Sequence, residues 1–233
     1  MFSPAFIDDG LSIFIVEAKK IETPSDMTSF LTETQINIFN KISSESRKVE
    51  FLATRYLAFS IFSSKVETAS TGAPIFPKNR SGSISHKNGI IAIAVSEGEN
   101  SYVGIDLERN SVKEKLSVKI APNEKLDLLC SQSGLDASEV LSLCFSAKES
   151  IYKAVFPSLT GQIGFSDVCL EKIDQSSGEL IFSSAHKQSL LADRPIPAVK
   201  FKNLELDNLP YILTYIKILP LDSLPCPHLP IKI

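Results

Sequence analysis

Two apolar runs near the middle of the chain, GIIAIAVS (residues 89–96) and SYVGIDLE (101–108), limit the fold more than any other feature. Their Ile, Val and Tyr content favours extended backbone, and the intervening EGEN reads as the turn of a hairpin. On either side the apolar period lengthens to that of a helix. SESRKVEFLATRYLAFSIFSS (44–64) repeats apolar residues at Val49, Leu52, Tyr56 and Leu57, with Ser44 or Ser46 as the cap and Arg47, Lys48 and Arg55 on the polar side. ASEVLSLCFSAKESIYKAVF (137–156) gathers Leu141, Cys144, Phe145 and Ile151 on one side. Further helical patterns lie at LTETQINIFNKI and PNEKLDLLCSQ, and LSIFIVEAK reads as an early strand. The segments FSDVCLEKI, GELIFSS, AVKFKNLEL and YILTYIKIL read as antiparallel strands. Gly and Pro make TGAPIFPKNRSGS a loop, and four prolines make the tail PLDSLPCPHLPIKI extended. The expectation is an α+β fold in two similar halves, residues 1–102 and 103–233.

Composition narrows the function. The chain has 233 residues, 43% hydrophobic and 22% charged, enough for a real core. A net charge of −3 leaves no basic footprint for nucleic acid. No apolar run approaches the roughly 20 residues that span a bilayer, so membrane insertion is not expected. Cys130, Cys144, Cys169 and Cys226 form no C-x-x-C pair, and MFSPAFIDDG lacks the pattern of a secretion signal. A reduced cytoplasmic protein is the reading.

The chemistry concentrates in three places. In VGIDLER, Asp106 and Glu108 stand two apart on a strand and so share a face, where they repel unless a cation lies between them. In SAKESIYKA, Glu149 and Lys153 are four apart on a helix and within reach of each other. Three carboxylates suit a hard divalent ion such as magnesium, which usually shares its shell with water and substrate phosphate. The third place is GSISHKNG, read as a loop. If it is extended, Ser83 and Ser85 share a face with His86 opposite, and no G-x-S-x-G elbow accompanies them. Ser85 and His86 fit donors to a phosphate better than a nucleophile pair. His186 has no evident partner, and Cys226 with His228 is only a weak metal pattern.

GSISH, VGIDLER and FSAKESIYKA in this order, with 20 positions from His86 to Asp106 and 43 from Asp106 to Glu149, resemble the motif series of the 4'-phosphopantetheinyl transferases. The likeness covers roughly residues 45–156 and is nearest the longer, siderophore and secondary-metabolism type, the enterobactin synthetase component D group. It implies the pseudo-twofold fold of that family with the active site between halves. It also implies transfer of the 4'-phosphopantetheine arm of coenzyme A to a serine of an acyl, peptidyl or aryl carrier protein. Magnesium would be held by Asp106, Glu108 and Glu149. Lys153, His86 and Ser85 would contact phosphates, and Arg47 and Arg55 the adenosine end. Glu149 is the general-base candidate, directly or through a metal-bound water. Lys113, Lys115 and Lys119 are candidates to meet an acidic carrier, and a monomer suffices. Two positions depart from the family: Ala73 replaces a basic residue, leaving Lys78 or Arg80 to supply that contact, and Phe145 replaces a Trp. The alternatives are a metal-dependent phosphodiesterase or nuclease, which the acidic balance disfavours, and an inactive carrier-protein binder.

Overall fold

The computed structural model describes residues 2–97, 101–122, 124–155, 164–184 and 196–219. Strands β1 (Phe6–Asp8) and β2 (Leu11–Glu17) form a hairpin. Helix α1 (Glu33–Asn40) starts at a capping box between Thr32 and Gln35. Helix α2 (Glu45–Phe62) follows, with Ser44 at its N-cap but no side-chain capping bond. After it come β3 (Glu67–Thr68), β4 (Pro74–Ile75), β5 (Arg80–Lys87), β6 (Ile90–Glu97) and β7 (Tyr102–Arg109). Helices α3 (Ser117–Ile120), α4 (Leu126–Ser133) and α5 (Ala137–Val155) precede β8 (Val168–Asp174), β9 (Glu179–Ser184), β10 (Val199–Leu206) and β11 (Leu209–Ile218).

The strands make two antiparallel sheets, ordered β1-β2-β6-β5 and β7-β11-β10-β9-β8, and a short β3-β4 ladder. Strand period two divides the apolar residues between cores. Leu11 and Ile13 of β2 and Ile90, Ala92 and Ala94 of β6 meet Val103, Ile105 and Leu107 of β7 and Tyr211, Leu213 and Tyr215 of β11 in a core between the sheets. The opposite face of the first sheet packs Phe14, Ile91, Ile93 and Val95 on Ala53, Leu57, Ala58 and Phe62 of α2. The opposite face of the second packs Ile212 and Ile216 on α5. The order of layers is therefore helix, sheet, sheet, helix.

Three expectations change. Strands β6 and β7 are not a hairpin: β6 pairs with β2 and β5, whereas β7 pairs along its whole length with β11. The hairpin is β5–β6, closed at Asn88 (φ 51°) and Gly89 (φ 79°), a two-residue Asn-Gly turn whose positive φ at both positions matches strand twist. GSISHKNG is thus strand and turn, and strand structure reaches back to Arg80 in the stretch read as loop. The buried face of α2 is rotated from the expected one: Val49 is exposed, while Glu50, Ala53, Thr54, Leu57 and Ala58 face the sheet. Close approach of a helix to a sheet selects small side chains there, so Val49 and Leu52 mark the wrong side. His186, Cys226, His228 and the proline-rich tail lie outside the described residues. Among those described, Cys130, Cys144 and Cys169 form no disulfide, and no helix is long and apolar enough to cross a membrane.

Candidate active site

The pleat of β7 explains its acids. Val103, Ile105 and Leu107 point into the core between sheets, so Gly104, Asp106 and Glu108 point to the face covered by α5. At Gly104 the helix comes so close that an added Cβ would lie 1.8 Å from the carbonyl oxygen of Ser150. The approach is fixed by a buried polar ladder: Ser146 and Ser150 meet the Thr214 hydroxyl at 2.9 and 2.8 Å, and Ser150 donates to the Thr214 carbonyl. One turn farther along, Lys153 reaches past Gly104 to β7.

Asp106 and Glu108 are both buried, at 6% and 9% exposure. Lys153 does not pair with Glu149 as expected. Its Nζ lies 2.7 Å from Asp106 Oδ1 and donates to the Ile105 carbonyl at 3.1 Å. Glu108 pairs with Lys87 at the end of β5 and also accepts the Arg109 N–H. Glu149 has no hydrogen-bond or ion-pair partner among the described residues. Burial pushes its carboxyl above the usual range; Lys153 opposes this, and the negative charges of Asp106 and Glu108 add to it. The two strand acids therefore act electrostatically on Glu149, and a cation among the three would relieve all of them.

Strand β5 runs along the free edge of β7 with alternate residues facing it. Ser83 Oγ accepts the Ile105 N–H at 3.1 Å, and Ser85 Oγ accepts the Leu107 N–H at 3.2 Å while donating to Asp106 Oδ1 at 2.9 Å. Ser85 is thus a buried tether between sheets whose proton already belongs to Asp106. His86 points the other way, toward α2, with Nδ1 3.0 Å from Glu50 Oε1. Its side chain is 40% exposed, and the partial burial of the rest holds the imidazole below the ordinary value; Glu50 opposes, while Arg47, Lys153 and Arg55 push further down. Arg47 sits 3.2 Å from the same Glu50 oxygen and is largely exposed, and Arg55 stacks over Phe51.

Sequence reasoning missed Glu50 and Lys87. Glu50 ties α2 to the β5–β6 turn by accepting the Gly89 N–H at 2.9 Å and gathers Arg47 and His86 on its other oxygen. Its place three residues after Arg47 was the available signal. Lys148, inside the FSAKESIYKA motif, was also passed over. It is fully buried, 2.6 Å from Glu124 and bonded to the Ile120 and Phe165 carbonyls, so it anchors loops under α5 and does not enter the site. A cleft of about 340 Å³ opens beside the motif, with Glu149, Tyr152, Phe165 and Val168 among its walls. Phe145 stacks edge-on against Phe165, and Ala73 joins the turn that leads into β4 through its carbonyl, which accepts the Ala69 N–H.

The residues fit a divalent ion. Asp106 Oδ2 is buried with no hydrogen-bond partner among the described residues, an arrangement that costs free energy unless a ligand supplies the missing contact. Among the described residues no three His, Cys, Asp or Glu side chains are already arranged to hold a metal, and Glu108 and Asp106 are paired with Lys87 and Lys153. The donor set is all oxygen, which suits magnesium.

Comparison with known proteins bears on this site directly. The profile of the 4'-phosphopantetheinyl transferase superfamily matches residues 102–199, which include β7, α5 and all three carboxylates. That of the 4'-phosphopantetheinyl transferase N-terminal domain matches residues 38–96, which include α2 and β5. A curated relative, 4'-phosphopantetheinyl transferase Npt of Nocardia iowensis, is 27% identical over 195 residues, 79% of this chain and 85% of its own length. With both profiles matched in chain order across the strands and helices that build the site, the chain belongs to the 4'-phosphopantetheinyl transferase superfamily and is a transferase of that kind.

Proposed function

We propose that this enzyme transfers the 4'-phosphopantetheine arm of coenzyme A to a serine of apo carrier proteins at the seam between β5 and β7, with residues 1–102 and 103–233 as its two halves. The observation that carries the reading is that Asp106 and Glu108 act electrostatically on Glu149, with Lys153 paired to Asp106 on one side of the seam and His86, Arg47 and Arg55 on the other. In this reading Asp106, Glu108 and Glu149 hold magnesium. The ion, when bound, neutralises charge on the pyrophosphate of coenzyme A.

The chain's own groups do the rest. The serine hydroxyl of the carrier attacks the β-phosphorus, and the bond from that phosphorus to the bridging oxygen breaks, releasing adenosine 3',5'-bisphosphate. Glu149, which has no hydrogen-bond or ion-pair partner among the described residues, is the candidate to take the hydroxyl proton. Lys153 stabilises the leaving phosphate. Arg47, largely exposed, and Arg55 meet the 3'-phosphate end, for which a planar fork is well shaped. His86 contacts the same phosphate region, and Ser85 acts through Asp106 and the seam. The carrier docks on the segment of Lys113, Lys115 and Lys119, where Val118 is 79% exposed between the lysines. A monomer is sufficient for all of this. The motif likeness supports placing the enzyme with the longer secondary-metabolism type, near the enterobactin synthetase component D group. Siderophore, peptide and polyketide carriers are accordingly the first acceptors to try.

The test is mass spectrometry of apo peptidyl, aryl and acyl carriers after incubation with enzyme, coenzyme A and magnesium, with and without EDTA. A gain of one phosphopantetheine arm that EDTA prevents is expected; no gain on any carrier overturns the reading. Arg47→Ala is expected to raise the KM for coenzyme A about tenfold with little change in kcat, and an unchanged KM removes Arg47 from the nucleotide site.

A further inference from the structure

Three alternate residues of β5 face β7, and they treat it differently. Ser83 and Ser85 bond its backbone, whereas Lys87, the last residue of the strand, places its ammonium 2.6 Å from Glu108 Oε1 and 2.8 Å from Oε2. Both oxygens of Glu108 are thereby engaged by one cation. Each oxygen keeps a further lone-pair site, but a divalent ion placed there sits beside the ammonium and is repelled by it, so ammonium and metal compete for Glu108.

The two lysines of the site are not alike. Lys153 is held twice, by Asp106 Oδ1 and by the Ile105 carbonyl, and its side chain is 26% exposed. Among the described residues Lys87 holds only Glu108; it sits at the mouth of the Asn88–Gly89 turn and is 38% exposed. Its long flexible stem can leave for water at small cost. We propose that Lys87 is a built-in counter-cation that occupies Glu108 when no metal is bound and sets the metal affinity of the site by competition. This rests on the reading of Asp106, Glu108 and Glu149 as metal ligands. Lys87 stabilises the metal-free protein by neutralising a nearly buried carboxylate, and the metal must displace it.

The experiment measures manganese(II), a paramagnetic substitute for magnesium, binding to the full chain without coenzyme A, by the loss of its free electron paramagnetic resonance signal. Lys87→Met is expected to bind the ion about tenfold more tightly than wild type, since a competing and repelling charge has gone. Lys87→Gln, which keeps a polar contact to Glu108 and guards against misfolding, is expected to shift affinity in the same direction, and Lys87→Arg to stay near wild type. In Glu108→Gln the effect of Lys87→Met is expected to vanish, which a general surface-charge effect does not do. Unchanged or weaker binding in both Lys87→Met and Lys87→Gln overturns the inference. If Asp106→Asn abolishes manganese binding while both Lys87 variants match wild type, only the role of Lys87 falls. If wild type binds no manganese, the metal-site reading falls with it.

Discussion

Asp106 has two oxygens in different states: Oδ1 is shared by Lys153 and Ser85, and Oδ2 is buried without a hydrogen-bond partner among the described residues. Glu149 has no hydrogen-bond or ion-pair partner among the described residues, and Lys153 acts on it only through its field. These residues therefore divide the work of stability and catalysis unequally. Asp106→Ala is expected to lower transfer by at least about a hundredfold and to cost about 1–3 kcal/mol of stability, because Lys153 and Ser85 lose their acceptor. Glu149→Gln is expected to abolish transfer equally while melting at or above the wild-type temperature, since it removes a charge crowded by two others. Carrier-loading assays paired with thermal melts check both, and full activity in either variant removes that residue from the site. His86 gives a pH signature. Its folded imidazole is held below the ordinary value near 6.5 by burial, against Glu50 and with Arg47, Lys153 and Arg55. Below about pH 6.5 the unfolded chain takes up the proton first, so stability falls as pH falls. His86→Gln is expected to lose less stability than wild type between pH 7.5 and 5.5 in urea unfolding, and equal losses would show that His86 titrates normally.

At the scale of elements, the site depends on how closely α5 lies on β7. With 1.8 Å between a Cβ at 104 and the Ser150 carbonyl oxygen, Gly104→Ala cannot be absorbed by a side-chain rotation. The helix must move, carrying Glu149 and Lys153 with it and straining the Ser146–Thr214–Ser150 ladder. A loss of at least about 4 kcal/mol is expected, together with loss of transfer in whatever remains folded; a near-wild-type melt would mean that the contact is looser than described. Strands β2 and β6 to β11 and both long helices were legible from their periods, and the three motifs located the carboxylates and His86, whereas β1, β3, β4 and β5 were not read as strands. What was not legible has physical reasons. The Asn88-Gly89 turn was a stronger hairpin signal than EGEN and was passed over, while β7 pairs with β11, which follows it by about a hundred residues and carries no local mark of that pairing. The sheet-facing side of α2 is built from Ala53, Thr54 and Ala58, which apolar size does not reveal, and Glu50 is hidden on it. The choice of Lys153 for Asp106 over Glu149 depends on the packing of helix on strand, which i, i+4 spacing does not contain.

For the whole molecule, the arrangement of layers makes the two sheets a single unit. Ile13, Ile90, Ile105, Leu213 and Tyr215 are almost wholly buried between them, and the edge of β7 that β11 does not use is met by Ser83 and Ser85 of the other sheet. Separating the sheets would expose that core and leave the Ile105 and Leu107 N–H groups and Asp106 without these partners, so neither sheet retains its present environment alone. The groups on the two sides of the seam, His86 with Glu50 and Asp106 with Glu149 and Lys153, hold their spacing only while this core is intact. Unfolding is therefore expected as one calorimetric transition with equal calorimetric and van't Hoff enthalpies. Ile13→Ala lies in this core and contributes no atom to the site; it is expected to cost about 3 kcal/mol and to lower the Tm of that single transition by about 6–12 °C. Because the seam loosens with it, the KM for coenzyme A is expected to rise even well below the new Tm. Two resolved transitions, or a Tm loss with unchanged KM, would mean that the halves fold separately and that the seam is held by the serine tethers alone.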